Sequence, residues 1–220
     1  MARIGLLGGS FNPAHAGHRR ISLEAMRVLG LDEVWWLVSP GNPLKKNVKD
    51  MAAFDARLAK ASVMARRARI RASDFERREG TCFTIDTVRR LKRRHPRDRF
   101  IWLLGSDTVP NFHLWRDWRG LAREVPIAVI RRPGYDSAAH AARAMGWLRR
   151  FVHPQSQAGH WTEWSAPAIV FLRLPPDPTS ATAIRAQYPD WHRRSPSPAL
   201  ARRRTALPSF TRRPLDRASS

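Results

Sequence analysis

The chain has 220 residues, 43% of them hydrophobic, a single cysteine and a formal net charge of +22 at pH 7. That length suits one domain able to bury its own core. The lone Cys82 excludes an internal disulfide and any cysteine-based zinc cluster, and no apolar stretch approaches a membrane span. Without a charged-then-apolar leader the chain reads as soluble and cytoplasmic. Its arginine-rich charge attracts polyanions in general and selects no one partner.

Ile4-Gly5-Leu6-Leu7 reads as a buried first strand, and Ile21, Ala25, Met26 and Leu29 as one face of the helix that follows. Between them lies Gly8-Gly9-Ser10-Phe11-Asn12-Pro13-Ala14-His15-Ala16-Gly17-His18. A glycine-rich turn between a strand and a helix start aims backbone N–H groups and the positive end of the helix dipole at an anion. Gly8 and Gly9 let the backbone approach a ligand with no Cβ in the way. His15 and His18 project from one side of the first helical turn, where imidazoles can donate to a phosphate. A tight turn with two surface histidines is the plainer alternative; the H-x-G-H spacing at a helix mouth favours a phosphate site.

Further along, residues 33–39 read as a second strand, broken by Pro40-Gly41-Asn42-Pro43 and followed by a polar loop with Lys45, Lys46 and Lys49. The spacing predicts a helix over 53–67, a strand over 69–73 and a helix over 84–94, with Thr84 as candidate N-cap and Ile85, Val88 and Leu91 inward. Residues 100–104 form a continuous apolar run, the mark of a strand covered on both faces. The run ends in Gly105-Ser106-Asp107, whose aspartate can bind ribose hydroxyls, help position a metal-nucleotide or cap the next helix. Short helices are expected in the tryptophan-rich segment 109–124, a buried strand at 127–130, a helix over 138–151, a loop over 153–167 and a last strand at 169–172. Ser180-x-Thr182-x-x-Arg185 then starts a helix. Its hydroxyls and free N–H groups can bind anionic oxygens while Arg185 offers its fork to a phosphate chain. An ordinary N-cap with a solvated arginine is the alternative. Trp115 and Trp118 are core candidates, or flat surfaces for a heterocycle. Cys82 reads as structural.

Short, apolar, unalternating strands that alternate with helices predict an α/β fold, a doubly wound, Rossmann-like parallel sheet with helices on both faces, as a single domain over residues 1–187. Ligands of such sheets lie beyond the carboxyl ends of the strands, so the loops at 8–18, 40–46, 105–107 and 174–185 are expected to converge on one crevice. From 188 to 220 arginine, proline and serine dominate without apolar periodicity, and a disordered tail is expected.

Together these residues resemble the nucleotidyltransferase superfamily marked by H-x-G-H and, within it, the bacterial nicotinate-nucleotide adenylyltransferase family. The resemblance spans about residues 3–187. It rests on G-G-S-F-N-P-A-H-A-G-H at 8–18, C-F-T-I-D-T-V at 82–88, L-L-G-S-D at 103–107, F-H-L-W-R-D-W at 112–118, P-I-A-V-I-R-R-P-G at 126–134 and S-A-T-A-I-R at 180–185. It implies transfer of AMP from ATP to nicotinate mononucleotide, giving deamido-NAD and pyrophosphate, with Mg2+ accompanying ATP. His15 and His18 would then be catalytic, in contact with the ATP phosphates. The resemblance implies Gly8, Gly9, Ser10, Phe11, Asp107, Ser180, Thr182 and Arg185 as further ATP ligands, Asp107 at the ribose and the last three at the β- and γ-phosphates. It implies Asn12, Lys45, Thr84, Ile85 and Trp115 for nicotinate mononucleotide. Trp115 would stack on the pyridine ring, and Thr84 with the backbone N–H of Ile85 would receive the carboxylate. No metal site of the protein's own, no membrane and no specific nucleic acid are implied, and a homo-oligomer is left open. Arg116 and the arginine-rich tail depart from the family pattern, which closes with an apolar helix. The alternatives are another acceptor within the superfamily, as in phosphopantetheine adenylyltransferase, or a basic nucleic-acid-binding protein, for which no interleaved aromatic motif appears.

Overall fold

Along β1 (Arg3–Gly9), Ile4 and Leu6 point to one side of the sheet and Leu7 to the other, as the two-residue period of a strand requires. The same division runs through β2 (Glu33–Val38), where Trp35 and Leu37 oppose Val34, Trp36 and Val38, and through β4 (Arg99–Gly105), where Phe100, Trp102 and Leu104 oppose Ile101 and Leu103. Both faces are apolar, so both must be covered. The computed structural model describes residues 1–41, 51–131, 134–175 and 179–193 and shows how they are.

One face packs against α3 (Phe75–Glu79), α4 (Thr84–Arg94), α5 (Trp118–Glu124), α6 (Asp136–His140) and α7 (Met145–Leu148). The other packs against α1 (Ala16–Leu29), α2 (Phe54–Met64) and a 3₁₀ stretch, Gln155–Glu163. With β3 (Ile70–Ser73), β5 (Ile127–Ile130), β6 (Val152–His153) and β7 (Ile169–Leu172), the sheet runs β3-β2-β1-β4-β5-β7-β6, every pair parallel. The chain leaves β1 toward β2 and β3, then returns to the other side of β1 as β4. Loops at the carboxyl ends of β1 and β4 therefore part in opposite directions and leave a crevice between them. The fold is the α/β, doubly wound architecture expected.

Several local expectations change. The helix over 53–67 stops at Met64. Phe83, extended at φ −112°, is the N-cap of α4, so Thr84 is its first helical residue. The helix over 138–151 is instead α6, α7 and a 3₁₀ turn, Arg149–Phe151. Ala139, Ala142, Ala144, Met145 and Leu148 are all buried there, and they do not share one helical stripe, so the chain turns to bury them. The expected loop at 153–167 contains β6 and the 3₁₀ stretch, anchored by Trp161, whose indole N–H donates to the Leu29 carbonyl at 2.9 Å. Arg3 ties the same region down by donating to the carbonyls of Leu29 and Gly159. Past the boundary expected at 187, Trp191 is buried at 6% exposure, so packed chain continues beyond α8 (Ala181–Gln187). Residues 194–220 of the expected tail lie outside the described residues.

Trp161→Ala removes a fully buried indole and its bond to α1. Unfolding free energy is expected to fall by about 3–5 kcal/mol, measured by urea denaturation; a loss under about 1 kcal/mol would mean that the 155–163 segment does not hold the second face.

Candidate active site

A cavity of about 820 Å³ lies over the carboxyl ends of β1, β2, β4 and β5, reached by Gly8 and Gly9, Ser39, Gly105 and Ile130. Gly8 has a packing reason beside the expected one. A Cβ there would stand 2.7 Å from the Trp102 ring, so only glycine lets that indole close under the strand end.

His18 lines this cavity, and its ring is fixed from three sides. Phe11, a non-glycine residue at φ 47°, places its ring 4.9 Å from His18 and stacks on Trp36 at 5.2 Å. His15, the N-cap of α1, has its ring centroid 3.9 Å from that of His18. The His15 backbone N–H donates to His18 Nδ1 at 3.3 Å. A ring nitrogen that accepts carries no proton, so the proton of the neutral ring is assigned to Nε2, which is left as the donor. His15 itself is buried at 6% exposure behind His18. The sequence placed Phe11 among the ATP ligands; its side chain is in the core, where it braces His18.

The other expected residues take different places. Gly9, Ser10, Thr84, Asp107 and Trp115 line the cavity with His18. Trp115 is held by edge contacts to Phe112 at 5.4 Å and Trp102 at 6.3 Å. Ile85 has its side chain in the core, so its contribution to a site is its backbone. Thr84 and Ile85 open α4, and the first four N–H groups of a helix have no partner within it. Ser180, Thr182 and Arg185 approach from the distant end of the chain. Arg185 donates to the Asn12 carbonyl at 2.6 Å and to Thr182 Oγ1 at 3.4 Å, which brings this helix onto the H-x-G-H loop. Ser180 is also the N-cap, accepting from the Ala183 N–H at 3.2 Å. The Asn12 side chain is turned to the backbone, accepting from the Ala52 N–H at 3.2 Å. Lys45 and Lys46 lie outside the described residues.

Three cavity residues were read otherwise or passed over. Cys82, expected to be structural, is exposed and lines the cavity. Arg116 sits 4.6 Å from the Phe83 ring and 3.8 Å from Asp86, closing the wall beside Thr84. Glu76 on α3 is buried in the wall, and burial raises its pKa to about 7. Its setting in Phe-Glu-Arg-Arg-Glu looks like a solvated surface, so nothing local marks it. Among the described residues no three histidine, cysteine or acidic side chains stand together that could hold a metal ion.

Arg57 holds the loops of the site in place. It is 2% exposed, on α2 beside Leu58 and Ala61. Its guanidinium donates to the carbonyls of Ser10 at 2.6 Å, Ser39 at 2.8 Å, Ala52 at 3.0 Å and Pro40 at 3.5 Å. A charged residue on the apolar stripe of a helix was the available signal.

The chain matches the cytidylyltransferase-like family over residues 6–187. It is 55% identical over 189 residues to a probable nicotinate-nucleotide adenylyltransferase of Erythrobacter litoralis, covering 86% of each chain. To the probable nicotinate-nucleotide adenylyltransferase of Parvibaculum lavamentivorans it is 48% identical, over 83% of this chain and 90% of that one. Its fold is similar to Plasmodium falciparum nicotinic acid mononucleotide adenylyltransferase complexed with NaAD, with a TM-score of 0.62 at 18% identity, over 84% of this chain and 83% of that one.

Arg57→Lys leaves one ammonium where a planar fork reached four carbonyls. Stability is expected to fall by about 3 kcal/mol, the scale of charged hydrogen bonds lost in a buried site, as read by urea denaturation. A variant within about 0.5 kcal/mol of the unmodified protein would show that the loops are held by other means.

Proposed function

The chain belongs to the cytidylyltransferase-like family, and from that premise we propose that it is a nicotinate-nucleotide adenylyltransferase, the activity named for its relatives. It transfers the AMP unit of ATP to nicotinate mononucleotide and releases deamido-NAD and pyrophosphate. The observation that carries this reading is the convergence of Gly9, His18, Thr84, Asp107 and Trp115, drawn from separate elements, on one cavity at the sheet's switch point.

The acceptor's phosphate oxygen attacks the α-phosphorus of ATP; that P–O bond forms as the bond to the pyrophosphate oxygen breaks. No side-chain nucleophile is needed, so catalysis consists of positioning and charge stabilisation. His18 donates from Nε2 to the phosphates as charge builds, with His15 behind it setting the ring. The backbone at Gly8, Gly9 and Ser10 runs beside the phosphate chain, while Ser180, Thr182 and Arg185 hold its β- and γ-groups. Asp107 takes the ribose hydroxyls. At the other end, Trp115 stacks on the pyridine ring, and Thr84 with the Ile85 N–H receives the carboxylate at the positive end of α4. Mg2+ accompanying ATP would be held by the phosphate oxygens and waters. Bound there, the ion would offset the charge of the phosphates. No described helix is long and apolar enough to cross a membrane, and we assign the reaction to the cytoplasm.

Pyrophosphate release from ATP with each pyridine mononucleotide tests the acceptor. A pocket built for a carboxylate leaves its donors unmatched by an amide, so nicotinate mononucleotide is expected to exceed nicotinamide mononucleotide by at least about a hundredfold in kcat/KM. Thr84→Val should narrow that gap, and equal rates in the unmodified protein would overturn the assignment. His18→Ala is expected to lower kcat by about a hundredfold or more, as loss of a transition-state donor does, with a much smaller change in the KM for ATP. Near-normal turnover would remove His18 from the chemistry.

A further inference from the structure

The cavity wall contains one acid that the reaction as written does not use. Glu76 is 7% exposed, and Thr87 Oγ1 on α4 bonds its Oε1 at 3.2 Å. Thr87 in turn lies 2.9 Å from Thr81 Oγ1. The Ser39 hydroxyl at the end of β2 faces the same carboxyl and donates to the Gly41 carbonyl at 2.7 Å. Glu76 thereby joins α3, which carries it, to α4, whose first turn presents Thr84 and Ile85, and to the end of β2.

Building on the nicotinate mononucleotide reading above, we propose that Glu76 is a positioning residue for the acceptor: through Thr87 and Ser39 it sets the first turn of α4 against the end of β2, and so sets how tightly the acceptor's anionic end is held.

The protonation state of Glu76 decides the direction of these bonds. When neutral, its O–H can donate to Ser39 Oγ, which leaves the serine proton for the Gly41 carbonyl, and every group is satisfied. When ionised, the carboxylate can only accept. It then draws the Ser39 proton to itself, and the Gly41 carbonyl loses its donor. An ionised Glu76 also puts a negative charge in a wall that takes up an acid, where little water screens the repulsion. The charged and titratable groups of the packed elements are Arg77, Arg78 and Glu79 on α3, Asp86, Arg89, Arg90, Lys92, Arg93 and Arg94 on α4, and Glu33 on β2. Around the cavity they are His18, Cys82, Asp107 and Arg116. None of these pairs with Glu76 among the described residues; Glu79 pairs with Arg90 and Arg94, Asp86 with Arg116, and Glu33 with Arg71. Burial is the leading cause that brings the pKa of Glu76 to about 7. An incoming anion raises it further, so acceptor binding takes up a proton and weakens as pH rises through neutrality.

The test is the KM for each substrate in the full chain, in Glu76→Gln and in Glu76→Ala, from about pH 6 to about pH 8. Glutamine keeps a neutral side chain of the same shape at every pH. If binding raises the Glu76 pKa by about one unit, the wild-type to Gln ratio of acceptor KM rises about fivefold across that range, while the ratio for ATP stays flat. The ratio cancels every titration that both proteins share, that of the acceptor's own phosphate included. Glu76→Ala, which releases Thr87 and Ser39, should raise the acceptor KM by about tenfold throughout and the ATP KM by less than about twofold. An acceptor ratio that does not change with pH, or equal rises in both KM values for the alanine variant, would overturn the proposal. Pyrophosphate release by the unmodified protein with nicotinate mononucleotide is the separate control. Its failure overturns the acceptor reading alone, and the same ratios are then taken with the mononucleotide acceptor that the protein does use.

Discussion

Arg57 carries a full positive charge where little water reaches it, and the carbonyl oxygens of Ser10, Ser39, Pro40 and Ala52 take the place of that water. Burial draws the guanidinium below its ordinary pKa, yet arginine stays charged far above physiological pH. A buried cation left without acceptors is costly, so the chain folds its loops inward to supply them. Those oxygens come from the loop after β1, the loop after β2 and the approach to α2. One side chain on one helix thus fixes the H-x-G-H loop relative to the neighbouring strand end, and the cavity wall at Ser10 and Ser39 takes its shape from that constraint.

The placing of His18 follows from packing laid on this frame. Phe11 adopts a left-handed backbone conformation that costs a non-glycine residue on the order of 1 kcal/mol. Stacking on Trp36 and contact with His18 offset it. Trp36 satisfies its own indole N–H on Ser22 Oγ, which in turn donates to the His18 carbonyl. The histidine that faces the cavity is therefore held by aromatic contacts, by a backbone donor to Nδ1 and by the first turns of α1. Such preorganisation is what charge stabilisation requires, because donors that need not reorganise act at full strength.

The Glu76 end of the cavity is built differently. Its elements are short: α3 spans five residues and α4 eleven, and beside the shared apolar packing of Phe75, Ile85, Val88 and Leu91 they meet through hydroxyls and a carboxyl. Hydrogen-bond chains of this kind respond to protonation. The two ends of the cavity thus differ in the kind of contact that holds them.

Local interactions decided what the sequence alone determined. Strand by strand, the apolar runs at 100–104, 127–130 and 169–172 predicted β4, β5 and β7 because continuous burial leaves no alternation. The glycine turn and H-x-G-H spacing pointed to the loop after β1, part of which lines the cavity, because strand, turn and helix start are neighbours in the chain. Tertiary structure alone decided which polar groups would be buried and by what. Arg57 meets Ser10 across 47 positions, and Arg185 meets Asn12 across 173. Glu76 is in a charged pentapeptide that looks solvated, and the 153–167 segment looks like an open loop until Trp161 reaches Leu29. Periodicity reports which face of an element turns inward. It cannot report which distant carbonyl or hydroxyl will be waiting there, and the burial of a polar side chain depends on that partner.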